Sequence, residues 1–282
     1  MIPVLYILTV ASSASQSTLS KLCGKRGADP FRFNFYKAGA AFVMFLCAFL
    51  ITERGIHTES LFYGIIYGAC TALSMYCGYK ALCIGPLSLT SMLATFSLII
   101  PCIYGATVLN EKVSVFAAIG YVLLAAALVS LNIKEKKDDK KPSLKWAICI
   151  AATILSNGVA SVIQKLHQSA YPGLHRFAFM SSAMLVCLLA FTVISLAKRS
   201  LLTVPKMTEG LSAASGVLNG LASFFTLWLA GLSNATLLFP LISASTMLSV
   251  LLIGRYFFKE KLSRFQIIGF ILGVSSVILL NL

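Results

Sequence analysis

Polar side chains stand at helical spacing inside long apolar stretches of this sequence. Residues three or four apart share one face of an α-helix, so each row would present its hydrogen-bonding groups together. The rows are Ser12, Gln16 and Ser20; Asn157, Ser161 and Gln164; and Ser212, Ser215, Asn219 and Ser223. Such groups either bond neighbouring helices or line a solute cavity, because unpaired polar groups are costly in lipid. We interpret the serines as helix-to-helix contacts, whereas Gln16, Asn157 and Asn219 suit either role.

Aromatic residues and one lysine suggest a second set of contacts. Tyr76 and Tyr79 are three residues apart and adjoin Lys80, while Trp228 ends a later apolar stretch. The rings could flank a solute, attract a cation or form an interfacial belt. Lys80 could receive a carboxylate or phosphate, or extend its ammonium group to the membrane surface. The predicted solute-binding residues are Gln16, Tyr76, Tyr79, Lys80, Asn157, Asn219 and Trp228.

The sequence contains no recognisable catalytic or metal-binding arrangement. His57, His167 and His175 fall in predicted loops or at helix ends, and we place every aspartate and glutamate outside the apolar spans. The H-E-x-x-H, G-x-S-x-G and Walker patterns are absent. The eight cysteines include no C-x-x-C pair, so we interpret them as small buried apolar residues. We therefore expect no enzyme activity, no cofactor and no metal ion.

Membrane-spanning helices must position these residues. The composition is 58% hydrophobic and 11% charged, whereas soluble domains average about 45–50% apolar and about 25% charged. About 20 apolar residues cross a bilayer as a helix. Ten candidate spans occur, at 3–22, 32–51, 60–82, 87–109, 113–132, 146–166, 174–197, 208–229, 236–257 and 264–281. The basic residues behind the net charge of +14 lie in short loops, which indicates lipid headgroups rather than nucleic acid as their partners.

The spans form two related halves. Leu109-Asn110-Glu111-Lys112 matches Phe258-Lys259-Glu260-Lys261 at an offset of 149 residues, and Arg32-Phe33 matches Arg176-Phe177 at an offset of 144. The halves, 1–133 and 145–282, flank a charged linker at 134–144. Five helices is an odd number, so the second half must cross the membrane in the opposite sense. The sequence thus predicts an all-α membrane protein of ten transmembrane helices in two inverted five-helix repeats.

Prolines and glutamates mark the helix ends. Pro86, after Gly85, suits the first turn of a new helix, and we expect Pro101 to kink the fourth helix. We expect Glu111 and Glu260 to orient helix ends at the interface, and Pro240 to act as a hinge or helix end. The pattern that recurs is Ala81 to Gly85-Pro86, Pro101, Glu111-Lys112 and Gly120 in the first half, and Ala230-Gly231, Pro240, Glu260-Lys261 and Gly269 in the second.

With this pattern the chain resembles the EamA-like ten-helix carriers of the drug/metabolite transporter superfamily. One departure is Val250, which stands where Pro101 would recur. The resemblance implies alternating access around a cavity lined by helices 1, 3, 4, 6, 8 and 9, with helices 5 and 10 at the periphery. Small multidrug antiporters of the superfamily depend on a first-helix glutamate, and the first helix here has none. Proton-for-cation exchange through one buried carboxylate is therefore disfavoured.

The distribution of charge predicts the orientation. Of the 23 lysines and arginines, four fall on the side of the even-numbered loops and the termini: Arg54, Lys112, Lys165 and Arg176. The positive-inside rule then predicts a cytoplasmic linker and both termini outside, although members of this family are usually drawn with cytoplasmic termini. We place the protein in the plasma membrane.

These features predict a secondary active transporter of a small polar metabolite, such as an amino acid or a similar anionic or zwitterionic solute. The first alternative is an organic-cation or drug transporter with an aromatic site. The second is a non-transporting membrane subunit of an envelope complex. The expected partners are the solute, the bilayer, and a coupling ion or counter-substrate, with the chain acting as a monomer or homodimer.

Overall fold

The computed structural model of this chain is built from α-helices. The described helices are α1 Ile2–Lys25, α2 Pro30–Thr52, α3 Thr58–Ile84, α4 Ile99–Thr107, α5 Val115–Asn132, α6 Leu144–Ala170, α7 Arg176–Ala197, α8 Thr208–Ala230, α9 Ala235–Tyr256 and α10 Arg264–Leu280. The structure describes residues 2–26, 28–53, 57–84, 90, 93–94, 96–132, 143–198, 208–257 and 264–280. The predicted break at Gly85-Pro86, Glu260 and the linker residues 134–142 lie outside these ranges, as does the side chain of Tyr79.

The helices confirm the predicted all-α membrane class. Each predicted span overlaps one of the ten described helices, and all regular structure in the described ranges is helical. The helices α2, α3 and α6 to α9 are long and apolar enough to cross a bilayer, while α4, α5 and α10 are shorter apolar helices. α1 is 24 residues long but belongs to neither group, because the Ser, Thr and Gln side chains between residues 12 and 20 lower its hydropathy.

Pro101 lies in the first turn of α4. A 3-10 turn at Phe96–Leu98 leads directly into α4, which begins at Ile99. Proline lacks the N–H that would bond four residues back, and the first turn of an α-helix does not need that bond. Pro101 thus follows the change from 3-10 to α geometry and removes no hydrogen bond from the α-helix.

The chain forms two compact units, and each takes helices from both halves of the sequence. Unit 1 comprises Met1–Ala72 and Ile163–Leu232, and unit 2 comprises Leu73–Val162 and Ser233–Leu282. Two of the boundaries fall inside α3 and α6. This division by packing is separate from the division into sequence repeats at 1–133 and 145–282, which stays a prediction.

Equivalent helices of the two halves pack against each other within the units. In unit 1, α2 packs against α7 and also against α8, while α1 packs against α8. In unit 2, α4 packs against α9, and α5 packs against α10. Three of these pairs, α2 with α7, α4 with α9, and α5 with α10, join a helix of the first half to its counterpart five helices later.

A carboxylate from the first half caps a helix of the second half in unit 1. Glu53 directly follows α2, and its two oxygens accept hydrogen bonds from the N–H groups of Phe177 at 2.8 Å and Ala178 at 3.1 Å. The N-cap residue of α7, His175, makes no cap bond with its own side chain. Glu53 therefore satisfies amides that no helical carbonyl reaches and complements the dipole of α7.

The same device recurs in unit 2. Glu111 follows α4 and accepts hydrogen bonds from the N–H groups of Ala235 and Thr236, both at 2.9 Å, at the start of α9. Gly105 leaves room for this carboxylate, since a Cβ there would lie 2.6 Å from a Glu111 oxygen. In both units the end of a first-half helix lies at the start of its counterpart. Equivalent helices thus run antiparallel, as an inverted repeat requires.

Rows of small residues mark close helix contacts in unit 1. Gly64 and Gly68 of α3 face α7, and a Cβ on Gly68 would lie 2.5 Å from the carbonyl oxygen of Ala183. Gly216 of α8 faces α2, where the carbonyl oxygen of Lys37 leaves no room for a Cβ. Small residues four apart permit such close approach of helices in lipid. The two contacts belong to equivalent helix pairs, α3 with α7 and α8 with α2.

Candidate functional site

Several buried polar side chains lie close together in unit 1, where α3 and α7 begin. This region is named the α3/α7 end. His167 and Gln168 come from the last turn of α6, Ser60 from the first turn of α3, and Arg176 is the first residue of α7. These four residues are the His167 network. His167 and Ser60 are 0% exposed and Gln168 is 1% exposed. Buried polar groups in a membrane protein are functional candidates.

Hydrogen bonds of the network fix the proton position on His167. Oε1 of Gln168 accepts from Nε of Arg176 at 3.1 Å and from the Gly173 N–H at 3.4 Å, so this atom is the amide oxygen. The amide nitrogen of Gln168 then donates to Nδ1 of His167 at 3.0 Å. Nε2 of His167 must carry the ring proton and donates to Oγ of Ser60 at 3.1 Å. The neutral imidazole thus holds the Gln168 carbonyl toward Arg176.

Arg176 is half-buried and lies over an aromatic face. Its guanidinium carbon is 4.6 Å from the centre of the Trp228 ring. Trp228 packs edge to face on Phe224 at 5.9 Å between ring centres, and Phe224 stacks on Phe177 at 4.9 Å. Gln168 binds Nε, and within the described ranges Arg176 has no carboxylate partner. The terminal nitrogens of the guanidinium therefore remain available to a further ligand.

The polar row of α6 extends further into unit 1. Nε2 of Gln164 donates to the hydroxyl of Tyr67 at 3.3 Å and to the carbonyl of Ser223 at 3.4 Å. Tyr67 packs on Phe179, which also contacts the ring of His167 at 4.6 Å. Helices α3, α6, α7 and α8 all contribute to this polar and aromatic lining.

Two further histidines lie between the network and the surface. The exposed His57 stacks on His175 with ring centres 3.4 Å apart, and Tyr171 contacts both His175 and His167. Burial lowers the pKa of His175, and nearby His57 lowers it further, while Glu53 acts in the opposite direction. No group of three or more metal-ligating side chains is placed to hold an ion in the part of the chain that the structure describes.

The other end of unit 1, where α2 and α8 begin, carries equivalent residues and is named the α2/α8 end. Arg32, the repeat equivalent of Arg176, forms an ion pair with Glu209 in the first turn of α8. Cys23, which stands 144 residues before His167, lies near Ser212 with 4.0 Å between sulfur and hydroxyl oxygen. Our expectation that no acid lies within a span is wrong at Glu209, since the predicted span 208–229 includes it.

Glu59 occupies the corresponding position at the α3/α7 end. It lies in the first turn of α3, as Glu209 does in the first turn of α8. The Glu59 side chain is exposed, and it forms no ion pair with Arg176 in the described ranges. The arginine at the α2/α8 end is therefore paired with an acid, whereas the described residues give the arginine at the α3/α7 end no acid partner.

Three of the predicted solute-binding residues belong to unit 1. Gln16 is half-buried and donates to Ser20 at 3.2 Å, and Ser20 bonds Ser215 of α8 at 3.3 Å. The polar rows of α1 and α8 are thus in contact with each other. Asn219 is half-buried in α8, and Trp228 carries Arg176 on its face.

The others belong to unit 2. Tyr76 is half-buried, and its ring centre is 5.9 Å from Nζ of Lys80, which is itself exposed. The side-chain nitrogen of Asn157 donates to the hydroxyl of Ser97 at 2.8 Å. Tyr79 is part of α3, but its side chain lies outside the described residues. Of the predicted residues whose side chains the structure describes, Trp228 is therefore the one in contact with the His167 network.

Residues predicted at helix ends occupy varied places in unit 2. Glu111 caps α9 as described above, and Pro101 and Pro240 are buried, Pro240 inside α9. Tyr121 strengthens the same region, since its hydroxyl donates to the Thr236 carbonyl at 2.6 Å. Glu260 lies outside the described ranges.

An apolar cavity of about 410 Å³ lies between α4 and α5 in unit 2. Its lining includes Leu98, Ile103, Val122 and Leu128, and the hydroxyl of its one tyrosine, Tyr121, is bonded to Thr236. A lining of this kind offers no partner to a charged group, and burying an unpaired charge is costly. Most of the buried polar side chains among the described residues belong instead to unit 1.

Comparison with known families decides the class of protein. The model of the EamA-like transporter family matches residues 1–133 and 144–282. The chain belongs to the EamA-like transporter family. It is also similar to a solved structure described as "Crystal structure of protein", with 19% sequence identity, a TM-score of 0.76, and coverage of 99% of this chain and 98% of that chain. This similarity shows the fold, and no curated protein matches the chain.

As a member of this family, the protein is a multi-pass membrane transporter whose partners are a small-molecule solute and the lipid bilayer. The sequence interpretation of this EamA-like transporter does not predict the His167 network: it assigns His167 to a helix end, and it uses Arg176 only as a repeat match to Arg32 and as a charge on the even-numbered side. A signal was available, because Gln164, His167 and Gln168 continue the polar row of α6 at three- and four-residue spacing.

Proposed function

We propose that this protein is a secondary active transporter of the plasma membrane that moves a small anionic or zwitterionic metabolite, such as an amino acid, by alternating access. The observation that carries the proposal is the half-buried guanidinium of Arg176, held by Gln168 and Trp228 without an acid partner in the described ranges. A guanidinium in such a setting attracts an anionic group. An inverted repeat also supplies two equivalent ends, which suits alternating access.

The remaining expectations belong to this proposal. Gln16, Tyr76, Tyr79, Lys80, Asn157, Asn219 and Trp228 stay the predicted solute contacts, to be tested one by one. With the linker cytoplasmic and the termini outside, the α3/α7 end faces outward. A C-terminal fusion to a reporter active only in the cytoplasm should then be inactive, and strong activity would contradict this orientation. A coupling ion or counter-substrate, and a monomer or homodimer, complete the expectation.

The organic-cation alternative is less well supported by the aromatic residues. The face of Trp228 is covered by Arg176 at 4.6 Å, and the ring of Tyr76 has the Lys80 ammonium at 5.9 Å. A cation of the chain over a ring competes with a solute cation for the same face. The alternative of a non-transporting subunit is less well supported because the family is one of transporters.

Counterflow in proteoliposomes tests the proposed function. Purified protein is reconstituted into vesicles loaded with one unlabelled solute, and uptake of the same labelled solute is followed for amino acids, carboxylates, sugars and quaternary amines. We expect counterflow of at least one amino acid or carboxylate. Folded protein that exchanges none of these solutes would contradict the transporter proposal, and exchange of quaternary amines alone would favour the alternative.

A further inference from the structure

The two ends of unit 1 provide an internal comparison for the ligand of Arg176. Arg32 and Arg176 are equivalent at an offset of 144 residues, and Glu209 and Glu59 lie in the first turns of the equivalent helices α8 and α3. At the α2/α8 end, Arg32 binds a carboxylate, that of Glu209. The repeat itself therefore indicates which chemical group an arginine in this position accepts.

Arg176 is oriented without that group. Its Nε is bound by Gln168, and its plane lies over Trp228. Two backbone amides at the start of α7 already donate to Glu53, so they do not compete for an anion. A guanidinium that is already oriented loses less conformational freedom when a ligand binds.

We propose that Arg176 binds the carboxylate of the transported solute, with Trp228 beneath the guanidinium and Gln168 as the residue that positions it. This inference rests on the proposed transport function and names its substrate class. The terminal nitrogens of Arg176 match a carboxylate in the two-bond fork that arginine forms with acids. One guanidinium balances one negative charge, which favours a carboxylate or zwitterion over a phosphate dianion.

Paired ligands separate the carboxylate from the rest of the solute. Thermal shift and titration in detergent would compare amino acids and dicarboxylates with their carboxamides, and include a phosphate monoester. We expect the wild-type protein to bind acids better than carboxamides. Arg176→Gln should weaken acid binding about ten- to a hundredfold, the effect of losing a hydrogen bond to a charged group. Lys112→Gln removes an exposed cation from the same predicted membrane side and should change nothing.

A substitution at Gln168 tests the site while leaving Arg176 intact. Gln168→Glu places a permanent carboxylate beside Arg176 at the position of the present amide oxygen. We expect it to abolish the preference for acids, because the new carboxylate neutralises the charge of the guanidinium. The melting temperature should change little, because the ring proton of His167 can move to Nδ1 and donate to the new carboxylate while Oγ of Ser60 donates to Nε2. Structural damage would instead lower the melting temperature. A variant that keeps the acid preference would overturn the assignment.

Other results would overturn the site while leaving the transporter standing. These are equal binding of acids and carboxamides by the wild-type protein, unchanged acid binding by Arg176→Gln, or a preference for the phosphate monoester. If Arg176→Gln does not fold, Arg176→Lys decides, because lysine keeps the charge but loses the fork; an unchanged acid preference there counts against the site. The transport function itself fails only if wild-type counterflow is absent for every solute.

Discussion

The two ends of unit 1 have the same framework but different contacts. Each end has an arginine at the start of one helix and a glutamate in the first turn of the other helix that begins there. The pairs are Arg32 of α2 with Glu209 of α8, and Arg176 of α7 with Glu59 of α3. At the α2/α8 end, Arg32 and Glu209 are joined, whereas at the α3/α7 end, Arg176 lies on Trp228 and Glu59 is exposed. The repeat thus preserves positions while the contacts differ. A residue's role in such a protein is therefore clearest when it is compared with its repeat equivalent.

A methyl group added at the glycine contacts between helices should destabilise the fold equally at the two ends. Gly64→Ala places a methyl group against the Phe179 backbone, and Gly216→Ala places one against the Lys37 backbone. Backbone cannot yield as a side chain can, so each change should lower the free energy of unfolding by about 3 kcal/mol. Melting temperatures and denaturant titrations in detergent would measure this.

A matched control is present in α8. Nothing lies within 4 Å of a Cβ added at Gly210, so Gly210→Ala should leave stability unchanged or raise it by up to about 1 kcal/mol. A large loss of stability in only one of Gly64→Ala and Gly216→Ala would show that the helix contacts at the two ends are not equivalent.

The acidic partners should differ in importance. Glu209→Gln leaves Arg32, which is 8% exposed, without its carboxylate, and should cost about 2 kcal/mol. Glu59→Gln changes an exposed acid and should stay within about 0.5 kcal/mol. Thermal denaturation of the two variants side by side gives the comparison. Similar losses in both would mean that Glu59 is also paired, and the contrast between the ends would disappear.

The helix caps at the two ends should show a smaller difference. Exposed Asp29 caps its own helix by accepting from the Arg32 N–H at 3.0 Å, whereas the half-buried Glu53 accepts two bonds from α7. Asp29→Ala should cost about 1 kcal/mol, and Glu53→Ala about 2 kcal/mol. Chemical denaturation measures both, and Glu53→Gln, which keeps one acceptor oxygen, should fall between wild type and alanine. A Glu53→Ala protein as stable as wild type would contradict the capping role.

Acidic pH should slightly lower the stability of the folded structure at the α3/α7 end. The pKa of His175 lies below its ordinary value of 6.5, so the unfolded chain takes up a proton more readily than the folded one. Stability should therefore be unaffected above that value and fall as the pH drops below it. His175→Phe, which copies the equivalent Phe31, should make the melting temperature fall less steeply between about pH 8 and about pH 5, and the buried neutral ring of His167 accounts for the slope that remains. An unchanged slope would assign the pH dependence to other groups.

Much of the framework could be predicted from the sequence, because spans depend on local properties. The length of the apolar stretches alone predicted a span that overlaps each of the ten described helices. The odd number of helices per half predicted the antiparallel counterparts that Glu53 and Glu111 now join. These inferences need only composition, length and period.

The site was harder to predict, because its contacts join residues far apart in the chain. Lys80 was the predicted anion-binding cation, yet it is exposed, whereas Arg176 is the oriented one. Nothing local reveals that Trp228 will lie beneath Arg176, or that Glu53 will reach α7 across 124 residues. Helical spacing could have extended the polar row of α6 to His167 and Gln168, but it could not have supplied their partners.

The caps also determine when the fold can be completed during synthesis. Glu53 and Glu111 leave the ribosome with the first half of the chain, yet α7 and α9, the helices that they cap, are made later. Until then, both carboxylates stand at the membrane surface with water in place of their backbone partners. The first half therefore cannot complete these caps alone, and the ends of α2 and α4 must still be accessible when α7 and α9 are inserted.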